Sequence, residues 1–194
     1  RPMIANLAEG LQVFTSNAFL VAGDRTVLVD PGNDFDAVSA VEERTDALDA
    51  VVLTHTHPDH VGNAPAVVDA FDVDVWGFDP GHDLVDHPVG DGDTVRLGDH
   101  DYAALHTPGH KNDHLCFYAP EPETLFAGDL VFANGSFGRT DLEEGDRRTL
   151  VESIGTLLDT VPGSLAEMHT GHGPSVTDDP YGHIESAYRM AQHR

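Results

Sequence analysis

Short apolar runs bounded by Gly, Pro, Asp or Asn recur along the chain, and they alternate with longer stretches of helical periodicity. Gln12 to Phe14, Ala18 to Ala22 and Thr26 to Val29 read as strands, the last two joined by a hairpin turn at Gly23-Asp24. A helix over Phe35 to Arg44 leads to a buried strand, Val51-Val52-Leu53, and a helix over Gly62 to Phe71 precedes a strand at Val73 to Trp76. Further strands are predicted at Thr94 to Leu97, Tyr102 to His106, Leu115 to Tyr118 and Thr124 to Ala127. The helix from Asp146 to Thr160 is the best marked. Asp146 can cap it, and Leu150, Val151, Ile154, Leu157, Leu158 and Val161 fall on one face. A strand at Leu165 to Met168 and a helix from about Pro180 to Gln192 follow. Two successive halves, each with strands and then helices, predict an α/β chain arranged as a four-layer αβ/βα sandwich. No linker or low-complexity segment interrupts it, so residues 1–194 are expected to form a single domain.

Charge changes the picture of the surface. The chain has 34 acidic residues against 10 basic ones, a formal net charge of -24, and its one lysine is Lys111. Such a surface repels itself in dilute buffer, whereas at 1 M salt the screening length falls to about 3 Å. The balance resembles that of halophilic archaeal proteins. It also argues against nucleic acid as a partner, because no basic stripe is present to displace phosphate counterions. No 18-residue apolar run is present to span a membrane, and Arg1-Pro2-Met3 opens no signal-peptide pattern, so a cytoplasmic location is expected. One cysteine forbids an intramolecular disulfide. Cys116 lies in a strand-like run and is expected to be a small buried hydrophobe, not a nucleophile.

The chemistry concentrates after the strand Val51-Val52-Leu53, where Thr54-His55-Thr56-His57-Pro58-Asp59-His60 holds three imidazoles and a carboxylate. On an extended segment, side chains at i and i+2 point the same way, so His55 and His57 can hold one ion. Pro58 helps turn the chain and aims Asp59 and His60 at a neighbouring ion. Three later strand-like runs end in His or Asp beside glycine: Leu105 to His110, Leu125 to Asp129 and Met168 to Gly173. Glycine permits the sharp turn and close approach that an ion requires, so His110, Asp129 and His172 complete the donor set. Of the other histidines, His114 and His169 are close enough to these segments to orient a ligand. His100, His106, His183 and His193 are expected to be surface or hydrogen-bonded residues, and His82 and His87 fall in a Pro/Gly-rich loop.

These motifs, with Asp30-Pro31-Gly32 after the first hairpin, resemble the metallo-β-lactamase superfamily and within it the glyoxalase II-like (hydroxyacylglutathione hydrolase-like) branch. The resemblance runs from about Asn17 to His172. It implies that His55, His57 and His110 hold one divalent metal, that Asp59, His60 and His172 hold a second, and that Asp129 bridges them. The His-rich set favours zinc, with iron or manganese as alternatives. Two such ions about 3.5–4 Å apart would lower the pKa of a shared water from about 15.7 to about 7, and the resulting hydroxide would attack a carbonyl. Asp59 is the expected catalytic residue, binding a metal and orienting that nucleophile.

The resemblance implies a small acyl-thioester as substrate, and it assigns Arg139, in Asn134 to Asp141, to a substrate carboxylate. An ion pair of Arg139 with Glu143 or Glu144 is the structural alternative. The sequence runs 22 residues past His172 without the C-terminal helical domain that completes the glutathione site of full-length glyoxalase II, so a short glyoxalase II-like thioesterase is expected. Rival readings are a persulfide dioxygenase with one iron, which Gly138 to Asp141 also resembles, and another hydrolase of the fold such as a lactonase. Oligomeric state is left open.

The charge balance yields the first prediction. Thermal melts in a KCl or NaCl series should show the melting temperature rising between 0.1 M and 3 M salt, within about the range in which the Debye length contracts. A flat profile would place the chain among ordinary acidic proteins.

Overall fold

The computed structural model describes residues 3–193, so the Arg1-Pro2 start lies outside the described residues. Two compact units are formed, one from the described residues up to 89 with 96–101, the other from 90–95 with the described residues from 102 onward.

In the first unit, β1 (Ile4–Asn6), β2 (Phe19–Val21) and β3 (Val27–Val29) pair antiparallel in sequence order, turning at Gly23-Asp24 between β2 and β3. Helix α1 (Ala37–Glu42) follows, capped by Asp36, which accepts from the Ser39 N–H at 3.0 Å. It carries the chain to β4 (Ala50–Val52), parallel to β3. Helices α2 (Pro58–Val61) and α3 (Ala64–Phe71) then lead to β5 (Asp74–Gly77), parallel to β4. Parallel neighbours need such crossovers, so helical periodicity between apolar strands announces this topology. A two-residue β6 (His87–Pro88) completes the sheet in the order β1-β2-β3-β4-β5-β6. Leu20, Leu28, Val51, Leu53 and Val67 are among the residues that build its core.

The second sheet has the order β11-β10-β9-β8-β7. Its strands are β7 (Thr94–Leu97), β8 (His100–His106), β9 (Leu115–Ala119), β10 (Thr124–Gly128) and β11 (Glu167–Thr170). β9 pairs antiparallel with both of its neighbours, β8 and β10. The crossover through α4 (Arg147–Thr160) makes β11 parallel to β10, and α5 (Pro180–Gln192) follows β11. Asp146 caps α4, and Leu150, Ile154, Leu157 and Val161 are buried in the core of this unit, with Val151 and Leu158 packed at its margin.

Three expectations are corrected. Gln12 to Phe14 is not a strand. The backbone turns back on itself there, with the Thr15 N–H bonded to the Val13 carbonyl at 2.8 Å, and the outer strand of the sheet is Ile4–Asn6 instead. The helix expected over Gly62 to Phe71 starts two residues later, as α3 at Ala64, and the short α2 stands apart before it. Pro65 cannot donate, and its ring would clash with the Val61 carbonyl in a continuous helix. His87 lies on an edge strand where a loop was expected, stacked on Trp76 at 4.2 Å and bonded to Asp74 at 2.7 Å. Pro88 obscured that strand, since proline is tolerated only at such an edge.

Leu157 is fully buried in the hydrophobic core of its unit. Leu157→Ala should lower stability by about 2–5 kcal/mol. Urea unfolding should show this as a lower midpoint with an unchanged slope.

Candidate metal centre

In the first unit the site grows from the ends of two parallel strands. The register Val29↔Val52 sets Asp30 beside the residues that follow β4, and the Asp30 N–H bonds the Val52 carbonyl at 3.0 Å. The Asp30 carboxylate then accepts the Thr54 N–H at 2.8 Å and the Thr54 hydroxyl at 2.6 Å. Its outer oxygen also accepts the His60 Nδ1–H at 2.7 Å. With the Thr54 hydrogen committed to Asp30, the contact of 2.9 Å between Thr54 Oγ1 and His55 Nδ1 must run from the ring to the hydroxyl. Both His55 and His60 are thereby held with their protons on Nδ1, leaving Nε2 as a metal donor. Their rings lie 4.1 Å apart, and His57 stands edge-on to His55 at 5.0 Å. His57 starts α2 in extended conformation and Asp59 sits in its first turn, with Asp59 Oδ2 3.7 Å from His60 Nε2. Asp30 has a donor atom within 4.8 Å of those of His55 and His60, but its three hydrogen bonds make it the residue that orients them.

The second unit brings together the other three predicted residues. Asp129 follows β10 and His172 follows β11, and the Gly171 N–H bonds the Gly128 carbonyl at 2.7 Å, joining the two strand ends. His110 lies in the loop between β8 and β9. Gly109 has φ +128°, and a Cβ there would overlap the Leu150 backbone, so only glycine lets this loop lie against the start of α4. His110 Nδ1 donates to the Arg139 carbonyl at 2.7 Å, which leaves Nε2 facing Asp129 Oδ2 at 3.3 Å. His172 Nε2 is 3.5 Å from the same oxygen. Gly138 passes against the Asp129 carbonyl so closely that any side chain would collide. In the neutral ring, a lone-pair nitrogen facing a carboxylate oxygen is repulsive unless a cation or proton lies between them. This donor set therefore fits a divalent cation in its chemistry, with imidazole nitrogens and carboxylate oxygens of the type that bind zinc and iron.

Arg139 is exposed, and its guanidinium forks onto Asp141 at 2.7 and 2.8 Å. This ion pair replaces the expected one with Glu143 or Glu144. Glu144 instead takes Lys111 at 3.1 Å and the Asn112 N–H. The Arg139 hydrogen bonds hold the Asp141 carboxyl down at about 2. His169 bonds Ser175 at 2.8 Å and Glu167 at 3.2 Å, and burial pushes its pKa down. His106 and His183 are engaged in backbone hydrogen bonds with Asn112 and Asn134. Asp30 is the functional residue that the pattern alone did not single out. Its signal was present as a carboxylate directly after a strand and before Pro-Gly. Among the described residues no helix is long and apolar enough to cross a membrane.

The sequence profile of the metallo-β-lactamase superfamily matches residues 11–84 and 77–179. A hydroxyacylglutathione hydrolase of Aliivibrio fischeri is 39% identical over 132 residues, covering 66% of this chain and 50% of that protein. The chain thus spans about half the length of that relative. The hydroxyacylglutathione hydrolase GloC of Haemophilus influenzae is 30% identical over 189 residues, covering 84% of this chain and 88% of that protein. Among solved structures, TTHA1623 in a di-iron-bound form is 32% identical with a TM-score of 0.76, covering 95% of this chain and 97% of the other.

The Asp30–His60–Thr54–His55 arrangement predicts the effect of one substitution. Asp30 sits at φ 55°, which asparagine tolerates, so Asp30→Asn keeps the backbone while replacing one acceptor oxygen by a donor. Zinc affinity, read by competition with a chromogenic chelator, should fall by about 10–100-fold with the circular dichroism spectrum unchanged.

Proposed function

Because the chain belongs to the metallo-β-lactamase superfamily, we propose that it is a metal-dependent hydrolase of small acyl-thioesters with two divalent ions. In this reading His55, His57 and His110 hold one ion, Asp59, His60 and His172 hold the other, and Asp129 bridges the pair. The observation that carries it is the orientation of the rings: His55, His60 and His110 each give their Nδ1–H to a fixed acceptor and keep Nε2 for a metal. Relatives named hydroxyacylglutathione hydrolase support the thioester assignment. Zinc is the favoured metal on donor chemistry, and iron is the first alternative, in keeping with a similar protein solved in a di-iron form.

Ions bound there would supply an activated water at neutral pH and polarise the substrate carbonyl. The residues of the chain do the rest. Asp59 orients the attacking water through its carboxylate and takes up its proton. Asp30 and Thr54 hold the His60 and His55 rings still while charge moves, so little reorganisation is needed during reaction. The departing thiol, with a pKa of about 8.5, leaves as thiolate without a strong acid beside it. Arg139 turns from Asp141 to a substrate carboxylate. The partner is a small molecule, neither nucleic acid nor membrane, and the acidic surface suits a salt-rich cytoplasm.

Elemental analysis should approach two metal equivalents per chain. A saturated stoichiometry of one, unchanged in His172→Ala, would rule out the binuclear arrangement. Hydrolysis of S-lactoyl-glutathione or a related thioester should release thiol without consuming oxygen. Asp59→Asn should lower turnover by about a hundred- to ten-thousand-fold. Arg139→Ala should raise KM with kcat little changed. Oxygen-dependent turnover of a persulfide, with thioesters untouched, would reassign the chain as a dioxygenase. Cleavage of lactones alone would make it a lactonase.

A further inference from the structure

Behind Asp129 a buried line of polar groups leads away from the centre. The Asp129 backbone N–H donates to His114 Nε2 at 3.0 Å. A backbone amide nitrogen can only donate, so Nε2 carries a lone pair and the neutral ring has its proton on Nδ1. His114 Nδ1 is 2.9 Å from Thr107 Oγ1, which therefore accepts. The Thr107 hydrogen is left to point at Cys116 Sγ, 3.4 Å away, or at the Leu105 carbonyl, 3.5 Å away. The Cys116 thiol has the Ala127 carbonyl at 3.6 Å. Burial pushes that thiol up to about 12, so it is the neutral thiol that faces Thr107. Thr107, His114 and Cys116 are all fully buried.

The same two residues also close the loop that carries His110. The Thr107 N–H bonds the His114 carbonyl at 2.9 Å, which extends the β8–β9 ladder one step past its last strand pair, His106↔Leu115. A Thr–His pair thus fixes two proposed ligands at once, His110 through the base of its loop and Asp129 through its backbone amide. The opposite tautomer would set an Nε2–H against the Asp129 N–H, donor facing donor, and would push the Asp129 backbone from its place.

We propose that His114 is a positioning residue of the metal centre, and that Thr107 selects its function by holding the proton on Nδ1. The inference rests on the reading of Asp129 as the bridging ligand. It predicts that removing one hydroxyl, with no contact to any ligand side chain, weakens metal binding.

The test uses the full chain and zinc as the probe. In metal-free wild type, imidazole nitrogen chemical shifts should show His114 protonated on Nδ1 alone. Thr107→Val, which keeps the shape and removes the hydroxyl, should give a mixture of tautomers, and zinc affinity by chelator competition should fall by about 10–100-fold. Thr107→Ser should restore both readouts, a recovery that loss of packing alone would not give. Wild type that binds zinc with His114 protonated on Nε2 overturns the inference by itself, without recourse to any variant. Thr107→Val with wild-type zinc affinity overturns it as well. Wild type that binds no zinc overturns the metal-centre reading, and the affinity half of this inference with it.

Discussion

A histidine can give only one ring nitrogen to a metal while the other carries a proton, and in a buried site that proton needs an acceptor that does not move. Much of the structure follows from meeting this requirement. Asp30 meets it for His60, Thr54 meets it for His55, and the Arg139 carbonyl meets it for His110. Asp30 and the Arg139 carbonyl lie far in sequence from the histidines they serve, and Thr54, although next to His55, is itself held by Asp30. The proposed ligands are therefore only as well placed as the strand register and loop closures around them. In the first sheet, two parallel strands end level with each other, so a side chain at the end of one reaches the backbone at the end of the next. In the second, β10 and β11 end together and are tied by Gly171 to Gly128.

Burial raises the stakes of this arrangement. Asp30, Thr54, His55 and His60 are removed from water, where an unpaired carboxylate or imidazole would be costly. Asp30 accepts three hydrogen bonds, and its hydrogen-bonded neighbours pass their own hydrogens in one direction. Networks satisfied in this way specify a single geometry, whereas partly satisfied ones admit several. The carboxylate-rich surface works on a different scale. It affects solubility and the salt at which the chain is comfortable, and the buried network is screened much less by salt.

How much of this was legible depends on whether the signal was local. The hairpin at Gly23-Asp24, the long helix after Asp146 and the last helix from Pro180 were readable because periodicity and capping are written within a few turns. The dense motif from His55 to His60 announced itself for the same reason. Gln12 to Phe14 misled because an apolar stretch was kept exposed in a turn, with Phe14 66% accessible, where strand pairing would have been expected. The pairing of Asp30 with Thr54 and His60 could not be read, because it depends on the parallel register of β3 and β4. Nor could the Arg139 carbonyl behind His110 be read, since a backbone acceptor leaves no trace in residue type. Arg139 attracted attention for its charge, while the contact it makes to a proposed ligand is through its main chain.

The chain's one lysine has a consequence of its own. Lys111 directly follows His110, is largely covered, and is held by Glu144 at 3.1 Å with Asp113 at 3.6 Å. Every process that acts on a lysine side chain, whether acetylation or ubiquitin attachment, has this single side chain as its target. Among lysine side chains there is no innocuous handle on this molecule. Modifying the amine breaks the clasp between the loop bearing His110 and the segment bearing Glu144, so attachment chemistry for this protein is better directed at its abundant surface carboxylates.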